Sequence, residues 1–541
     1  MRRDTTPWLL VAATALCAGV ALRVFDLREQ VALDDELVSI AATLQHPYAF
    51  LFGSFDAAYY SIPHALLLKL FADSIGLDEL TLRLPSLAGG LALLCLAPWI
   101  AWRRFGAAPA GIFAALLAIS PLLVLYSRLA RAYAIAIALV FFAVMSLERW
   151  LAERRPGQAI AYVLLGAAAI WFHQLAAPAV LAPLAPVALF RAWGAPRGQR
   201  VRELLEPIGL GLAVALLVTL LLWSALFVSL GPLVRKLDRI SIGVITQIGA
   251  LAIFAGSRSL WLVGLFWLGV AAGAVLALRR HVQIATLMLT SALSQWLCVL
   301  ALGPWLAEVP RVFARYVAFA LPFALLGLAL AIAELGRVRV AGRAWPVPLV
   351  AGSLLVAALT ATGPLPIAYA MPDNFTAHPE YLDPAAPASV PAVPEFYRRL
   401  RDEPGDFAIV EAPLRNSPDL FPYHVYQRLH GKRVRIGFVG SLLDPPEADE
   451  FPLDPAHADF RTFVDVASPE SLRRSGARYL VMHRDLGQEL GLPGLRFDLR
   501  SAIDAYARRF GAPVYEDALL AVFPLPPPDG APRGTASTPA S

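Results

Sequence analysis

Three consecutive acids, Asp34, Asp35 and Glu36, follow an apolar stretch at residues 8–24. A carboxylate at the edge of a bilayer is costly unless something holds it, so acids in such a place are read first as a functional site. Asp34 has a simple duty available, because an aspartate at a helix start accepts backbone N–H bonds and suits the positive end of the helix dipole. A cap does not require three acids. Asp35, with Glu36 beside it, has the chemistry of a general base.

The run Tyr126-Ser127-Arg128-Leu129-Ala130-Arg131-Ala132-Tyr133 carries two arginines three residues apart. That spacing puts Arg128 and Arg131 on one helical face. Arginines at a helix end also snorkel toward headgroups. A planar guanidinium pair flanked by tyrosines is better matched to phosphate oxygens, so this pair is a candidate phosphate clamp. Arg311 and Arg315-Tyr316 repeat the pattern later in the chain, which makes Arg315 a third candidate. Tyr59, His64, Tyr126, His173 and Tyr316 are candidate substrate contacts, with Asp56 and Tyr60 near the first two. The nine histidines and three cysteines form no HExxH or CxxC spacing. No cofactor is implied. A divalent cation held by Asp35, Glu36 and substrate phosphates is the one metal arrangement left open. The absence of a Walker loop or of GxGxxG opening a helix argues against a nucleotide.

These residues must be positioned by membrane spans. The chain has 541 residues, 58% hydrophobic and 16% charged, with a mean hydropathy of +0.60. That composition predicts a polytopic α-helical membrane protein. About eleven segments of roughly 20 residues suffice to span: near 7–25, 81–102, 107–126, 132–150, 158–173, 174–190, 207–229, 259–278, 284–306, 313–335 and 346–364. Basic clusters at 2–3, 103–104, 154–155, 191–202, 279–280 and 337–343 fall on alternate sides of successive spans. They therefore share one face, which the positive-inside rule makes cytoplasmic. Asp35, Arg128, Arg131, His173 and Arg315 fall on the other. The short break at His173-Gln174 separates two spans, and merging them would invert everything downstream.

Residues 26–80 are too broken to span and read as a long outer loop with interfacial helices near 35–45 and 62–72. Residues 238–255 suit the interface as well. From about 366 the composition changes. Residues 366–541 hold 18 Lys/Arg against 24 Asp/Glu, a net of −6, whereas residues 1–365 hold 28 against 17, a net of +11. The positive excess suits loops facing anionic membrane lipids, and nothing suggests nucleic acid. Strand-like runs at 407–410, 434–439, 479–482 and 518–523 alternate with helical runs at 394–401, 420–429 and 501–510. The division expected is a transmembrane part, 1–365, an α/β domain, 366–524, and a Pro/Gly/Ser/Thr-rich disordered tail, 525–541.

In this order the pieces resemble the GT-C class of polyprenyl-phosphate-dependent glycosyltransferases. Within it they are most similar to the family 39 group of protein mannosyltransferases, ArnT aminoarabinose transferases and RgtA-type enzymes. The resemblance covers roughly residues 8–335. It rests on Asp35-Glu36, Leu82-Arg83-Leu84-Pro85-Ser86, Ser120-Pro121 with Tyr126-Ser127-Arg128 and Arg131-Ala132-Tyr133, and Arg315-Tyr316 before Pro322. The Pro-Pro-Leu that many members carry stands here as Ile62-Pro63-His64-Ala65-Leu66. The resemblance implies a GT-C-like fold, Asp35 as the base with Glu36 its neighbour, and Arg128 and Arg131 at the donor phosphate. It also implies a polyprenyl-phosphate-linked sugar as donor and an envelope glycan, lipid or protein as acceptor. A bacterial inner-membrane location follows, with a cytoplasmic N-terminus and a periplasmic α/β domain. Two other classes compete. A lipid or polysaccharide flippase or transporter would place charge at mid-membrane and show inverted repeats. A non-catalytic scaffold would leave the acids and outward arginines without a use.

Overall fold

The structure is a computed structural model. It describes residues 5–32, 35–55, 58, 60–235, 240–337, 339–340, 343–344, 346–371, 393–413, 423–442, 460–489 and 498–526. Among these, eight helices are long and apolar enough to cross a membrane, from Thr6–Val24 at the start to Pro310–Glu334. A helix pair, Ala107–Ile119 and Pro121–Arg128, bent by 58°, is long and apolar enough only when its two helices are taken together. Two shorter apolar helices, Pro156–Phe172 and Val347–Thr362, occupy two further expected spans. The chain is a polytopic α-helical membrane protein with an α/β domain near its C-terminus.

The break at His173 is real. His173 is extended (φ −154°), and the chain then folds back: Tyr162 Oη donates to Val180 O at 2.9 Å. Those residues meet only if the two helices form a hairpin. Several of the basic helix ends pair with acids of neighbouring helices. Arg104 pairs with Glu148, Arg280 with Glu334, and Arg154 and Arg191 with Glu203 and Glu206.

Close packing sets the helix positions. A Cβ on Gly273 would lie 1.8 Å from Gly327 O, so Leu260–Arg280 and Pro310–Glu334 cross backbone to backbone. A Cβ on Gly90 would meet Ser127 Oγ at 1.9 Å. The 58° bend has a specific cause. Pro121 brings no N–H to the ladder, which strands the carbonyls before it. Arg23, 1% exposed, fills the gap by donating to Leu117 O at 3.0 Å, Ala118 O at 3.3 Å and Ser127 Oγ at 3.1 Å.

The expected outer loop folds into three helices, Asp35–Gln45, Tyr48–Gly53 and Ile62–Ser74. The first begins where the acid triplet puts it; Asp34 itself, Asp56 and Tyr59 lie outside the described residues. In the segment near 238–255 a helix, Val244–Ala255, exposes Val244, Ile245 and Ile248.

The α/β domain is a six-stranded sheet. Its order is Phe463–Asp465, Arg433–Phe438, Ala408–Ala412, Ala477–His483, Leu520–Pro524, Tyr515–Glu516. The first four strands are parallel and the last two antiparallel to their neighbours. Parallel strands buried on both faces read as continuous apolar runs, which is how 407–410 and 479–482 announced themselves. The helices Glu395–Asp402, Tyr423–His430 and Arg500–Phe510 match the expected helical runs, while Pro469–Ser475 and the two edge strands, Phe463–Asp465 and Tyr515–Glu516, were not anticipated. Leu365–Ala370 packs on Val124 and Leu125 and so belongs with the helical bundle. Of the expected tail, 527–541 lies outside the described residues.

The domain does not stand apart. Val31, Leu37, Ile40, Leu68, Leu77, Leu82 and Ala130 form one buried cluster with Ile409, Val434, Val464 and Leu480. The loop helices thus lie between the bundle and the sheet, with a core on the sheet side.

Candidate active site

Asp35 sits in the first turn of its helix. Its Oδ2 accepts from Arg315 Nη1 at 3.0 Å and lies 3.5 Å from Arg131 Nε. The three side chains are 16%, 19% and 13% exposed, so the ion pairs are largely shielded from water. Arg315 comes from the short helix Pro310–Val317, whose first turn is opened by Pro310. Arg131 comes from the irregular turn that joins Pro121–Arg128 to Tyr133–Glu153. Three elements far apart in sequence therefore converge on one carboxylate.

The two guanidinium groups form part of the wall of a cleft of about 260 Å³, together with His64, Tyr133, His173 and Gln174. Ser39, one turn beyond Asp35 on the same helix, lines it too. Burial and the nearby Arg131 charge push His64 down to about 3, so its imidazole is neutral. Two guanidinium groups against one carboxylate leave the site with a net charge of +1. Arg315 Nε and His64 Nε2 are buried with no hydrogen-bond partner. A buried unmet polar atom costs on the order of 1–3 kcal/mol. Aromatic rings continue inward: Tyr126 lies 4.7 Å from Tyr133, Tyr133 4.7 Å from His173, and His173 5.5 Å from Phe319. Tyr316 stands under the Arg315 guanidinium at 5.3 Å and donates to Trp305 O at 3.3 Å.

Two expected site residues are placed elsewhere. Arg128 does not share a face with Arg131, because the helix ends at Arg128 and Leu129 is extended (φ −108°, ψ 132°). Arg128 is fully buried against the end of the first helix, where it donates to Phe25 O at 2.7 Å, Leu22 O at 3.2 Å and Gln30 Oε1 at 3.1 Å. It caps carbonyls and does not line the cleft. Glu36 is fully buried as well. Its Oε1 accepts from Arg83 Nε and from the Ala130 N–H, both at 2.8 Å, and its Oε2 from Arg83 Nη2 at 2.6 Å. Arg83 further donates to the backbone oxygens of Leu27, Gln30 and Val31. Glu36 thus anchors the loop. The pair Asp35 and Glu36 does not fit a divalent cation, since the first is paired with two guanidinium groups and the second is fully buried, accepting three hydrogen bonds from Arg83 and Ala130. Among the described residues no other group of three His, Cys, Asp or Glu side chains is arranged for a metal.

Arg83, Tyr133 and Gln174 were not singled out as site residues. Each had a signal: Arg83 as an arginine directly before an apolar span, Tyr133 as a tyrosine flanking the arginine pair, and Gln174 at the break between two spans.

The fold and the cleft together define a polytopic membrane protein with a pocket lined by two arginines that pair with a carboxylate. The chain is similar to the crystal structure of ArnT from Cupriavidus metallidurans in the apo state, at 15% identity and a TM-score of 0.46, covering 96% of this chain and 98% of that one. It is similar also to ArnT from the same organism bound to undecaprenyl phosphate, at 14% identity and a TM-score of 0.47, covering 97% and 98%. No family model and no curated protein matches the chain.

Proposed function

We propose that the protein is a membrane glycosyltransferase of the GT-C type that moves a sugar from a polyprenyl-phosphate donor to an acceptor, with inversion. The observation that carries this reading is Asp35 paired with Arg131 and Arg315, two arginines that line the cleft, in a group of net charge +1. The sequence motifs supply the choice of donor.

The donor phosphate would engage Arg315 and Arg131, competing with Asp35 for the same guanidinium groups. That exchange neutralises the arginines and leaves Asp35 to accept the proton of an acceptor O–H or N–H. The new bond forms at the anomeric carbon while the carbon–oxygen bond to phosphate breaks on the opposite face. The electron pair leaves with the lipid phosphate, where the arginines stabilise the developing charge. The positive-inside pattern of the loops supports an outer-face site with the α/β domain on the same side, and in this reading the membrane is a bacterial inner membrane.

The test is incubation of the purified protein with a panel of labelled undecaprenyl-phosphate sugars, reading release of undecaprenyl phosphate. Turnover with at least one donor is expected, with Asp35→Asn losing it by about 10²-fold or more while donor binding is kept. No turnover with any donor, or full turnover by Asp35→Asn, overturns the reading.

A further inference from the structure

Besides the shared apolar core and the Glu29 ion pairs, the loop that carries Asp35 is tied to the α/β domain through a buried carboxylate, Glu79, which is 3% exposed. Glu79 Oε1 accepts three bonds from the residues leading into the edge strand: Arg461 N–H at 2.7 Å, Thr462 N–H at 2.6 Å and Thr462 Oγ1 at 2.7 Å. Thr462 is itself fixed in the sheet, because its carbonyl accepts from Ile436 N–H at 2.9 Å. On the other side, Glu79 opens a rigid turn. Asp78 Oδ1 accepts from the N–H groups of Leu80 and Thr81 at 3.0 and 2.6 Å, and Glu79 O accepts from Arg83 Nη1 at 3.3 Å.

Arg83 passes the constraint on. It grips Glu36 with two bonds, and Glu36 in turn holds the Ala130 N–H. Glu36 is the neighbour of Asp35, and Ala130 is the neighbour of Arg131. The bonded path from the sheet thus ends at the two residues whose mutual geometry defines the site. Each bond on it is buried or part-buried, and charge-assisted or made to backbone, the kind that transmits position rather than slack.

We propose that Glu79 is a positioning residue: the seat of the α/β domain, transmitted through Glu79, Arg83 and Glu36, sets the placement of Asp35 against Arg131. This rests on the transferase reading for its activity readout, although its mechanical half does not. Misplacement of a reacting group by about 1 Å is enough to cost ~10²-fold in rate, so a latch of this kind acts on turnover more than on donor capture.

Full-length Glu79→Ala and Glu79→Gln are compared with the parent protein by hydrogen exchange over residues 35–45 and 129–133, and by turnover of the undecaprenyl-phosphate sugar panel. For Glu79→Ala, faster exchange in both segments is expected, with kcat down about tenfold or more and donor KM within about threefold. Glu79→Gln keeps an oxygen that accepts the same N–H groups, so it should recover most of both readouts. If exchange rises only around 460–465, or kcat is unchanged, Glu79 merely pins the domain and the proposal fails. Should Glu79→Ala not fold, Thr462→Val removes one donor of three and must show the same changes in smaller measure. A parent protein without turnover defeats the transferase reading alone, and exchange at 35–45 then decides the latch.

Discussion

The arginines near the acid are separable by their surroundings. Arg315 and Arg131 reach a cleft, and Arg128 holds the carbonyls of the first helix. Arg315→Ala should weaken binding of undecaprenyl phosphate by about 10-fold or more, the loss expected for a charge-assisted contact, and leave thermal stability near that of the parent. Arg128→Ala should do the reverse, lowering the melting temperature with the affinity of the folded fraction retained. Equal effects of the two on binding would mean that both touch the phosphate. Much of this was open to sequence reasoning. An acid and arginines at membrane boundaries are expensive, and that expense shows in the letters. The error over Arg128 came from carrying helical periodicity through residues 128–131, where Leu129 is extended. The partnership of Glu36 with Arg83 was hidden because 47 residues separate the two and no local pattern links them.

At the scale of elements, the bend between Ala107–Ile119 and Pro121–Arg128 aims the turn that delivers Arg131. The bend depends on Arg23, whose head meets carbonyls that the proline leaves without donors. Arg23→Leu should therefore lower thermal stability, since each buried carbonyl so orphaned costs about 1–3 kcal/mol. Lysine, with one head group, should restore only part of it. The Ala477–His483 strand contains a second buried polar centre. His483 Nε2 lies 2.9 Å from Glu411 and its Nδ1 2.7 Å from Glu489, while Tyr397 donates to Glu411 at 2.9 Å and Tyr426 donates to Glu489. Burial alone would pull the imidazole down, but the two carboxylates outweigh it and raise His483 to about 9. A folded value above the unfolded one stabilises fully below the ordinary histidine range, and this contribution fades as pH climbs through about 9. The melting temperature of the α/β domain should accordingly fall between about pH 6.5 and 9, and His483→Gln should flatten that slope. The central strands were visible as apolar runs, whereas Phe463–Asp465 was not, because three residues among acids and prolines carry too little pattern.

For the whole molecule, the docking of the sheet on the loop is electrostatic at its rim. Glu29 meets Arg435 and Arg461 and lies 3.8 Å from Arg433. Burial pushes the Glu29 carboxyl up, and the three arginines together hold it below its ordinary value. A depressed folded value gives stability that is present above the ordinary carboxylate range and is lost as pH falls through the folded value. Protease sensitivity of the domain boundary should therefore rise in acid below about pH 4.5, and Glu29→Gln should show that sensitivity already at neutral pH. The separation into a membrane part and an α/β part was legible in composition. Their common core was not, since Leu37, Leu68 and Leu82 read as lipid-facing residues until the sheet is seen to cover them.

That common core has a consequence for biosynthesis. The segment holding Asp35 leaves the ribosome early, whereas the strands that cover it are made last. Until residues beyond 520 have been translated and folded, Leu37, Leu77 and Leu82 have no sheet to pack on, and Glu79 has no Thr462 to hold. Domains made in sequence order cannot complete a core whose halves lie at opposite ends of the chain. The nascent protein would then pass through synthesis with all its membrane helices in place and an unfinished centre, and it would become competent only on completion.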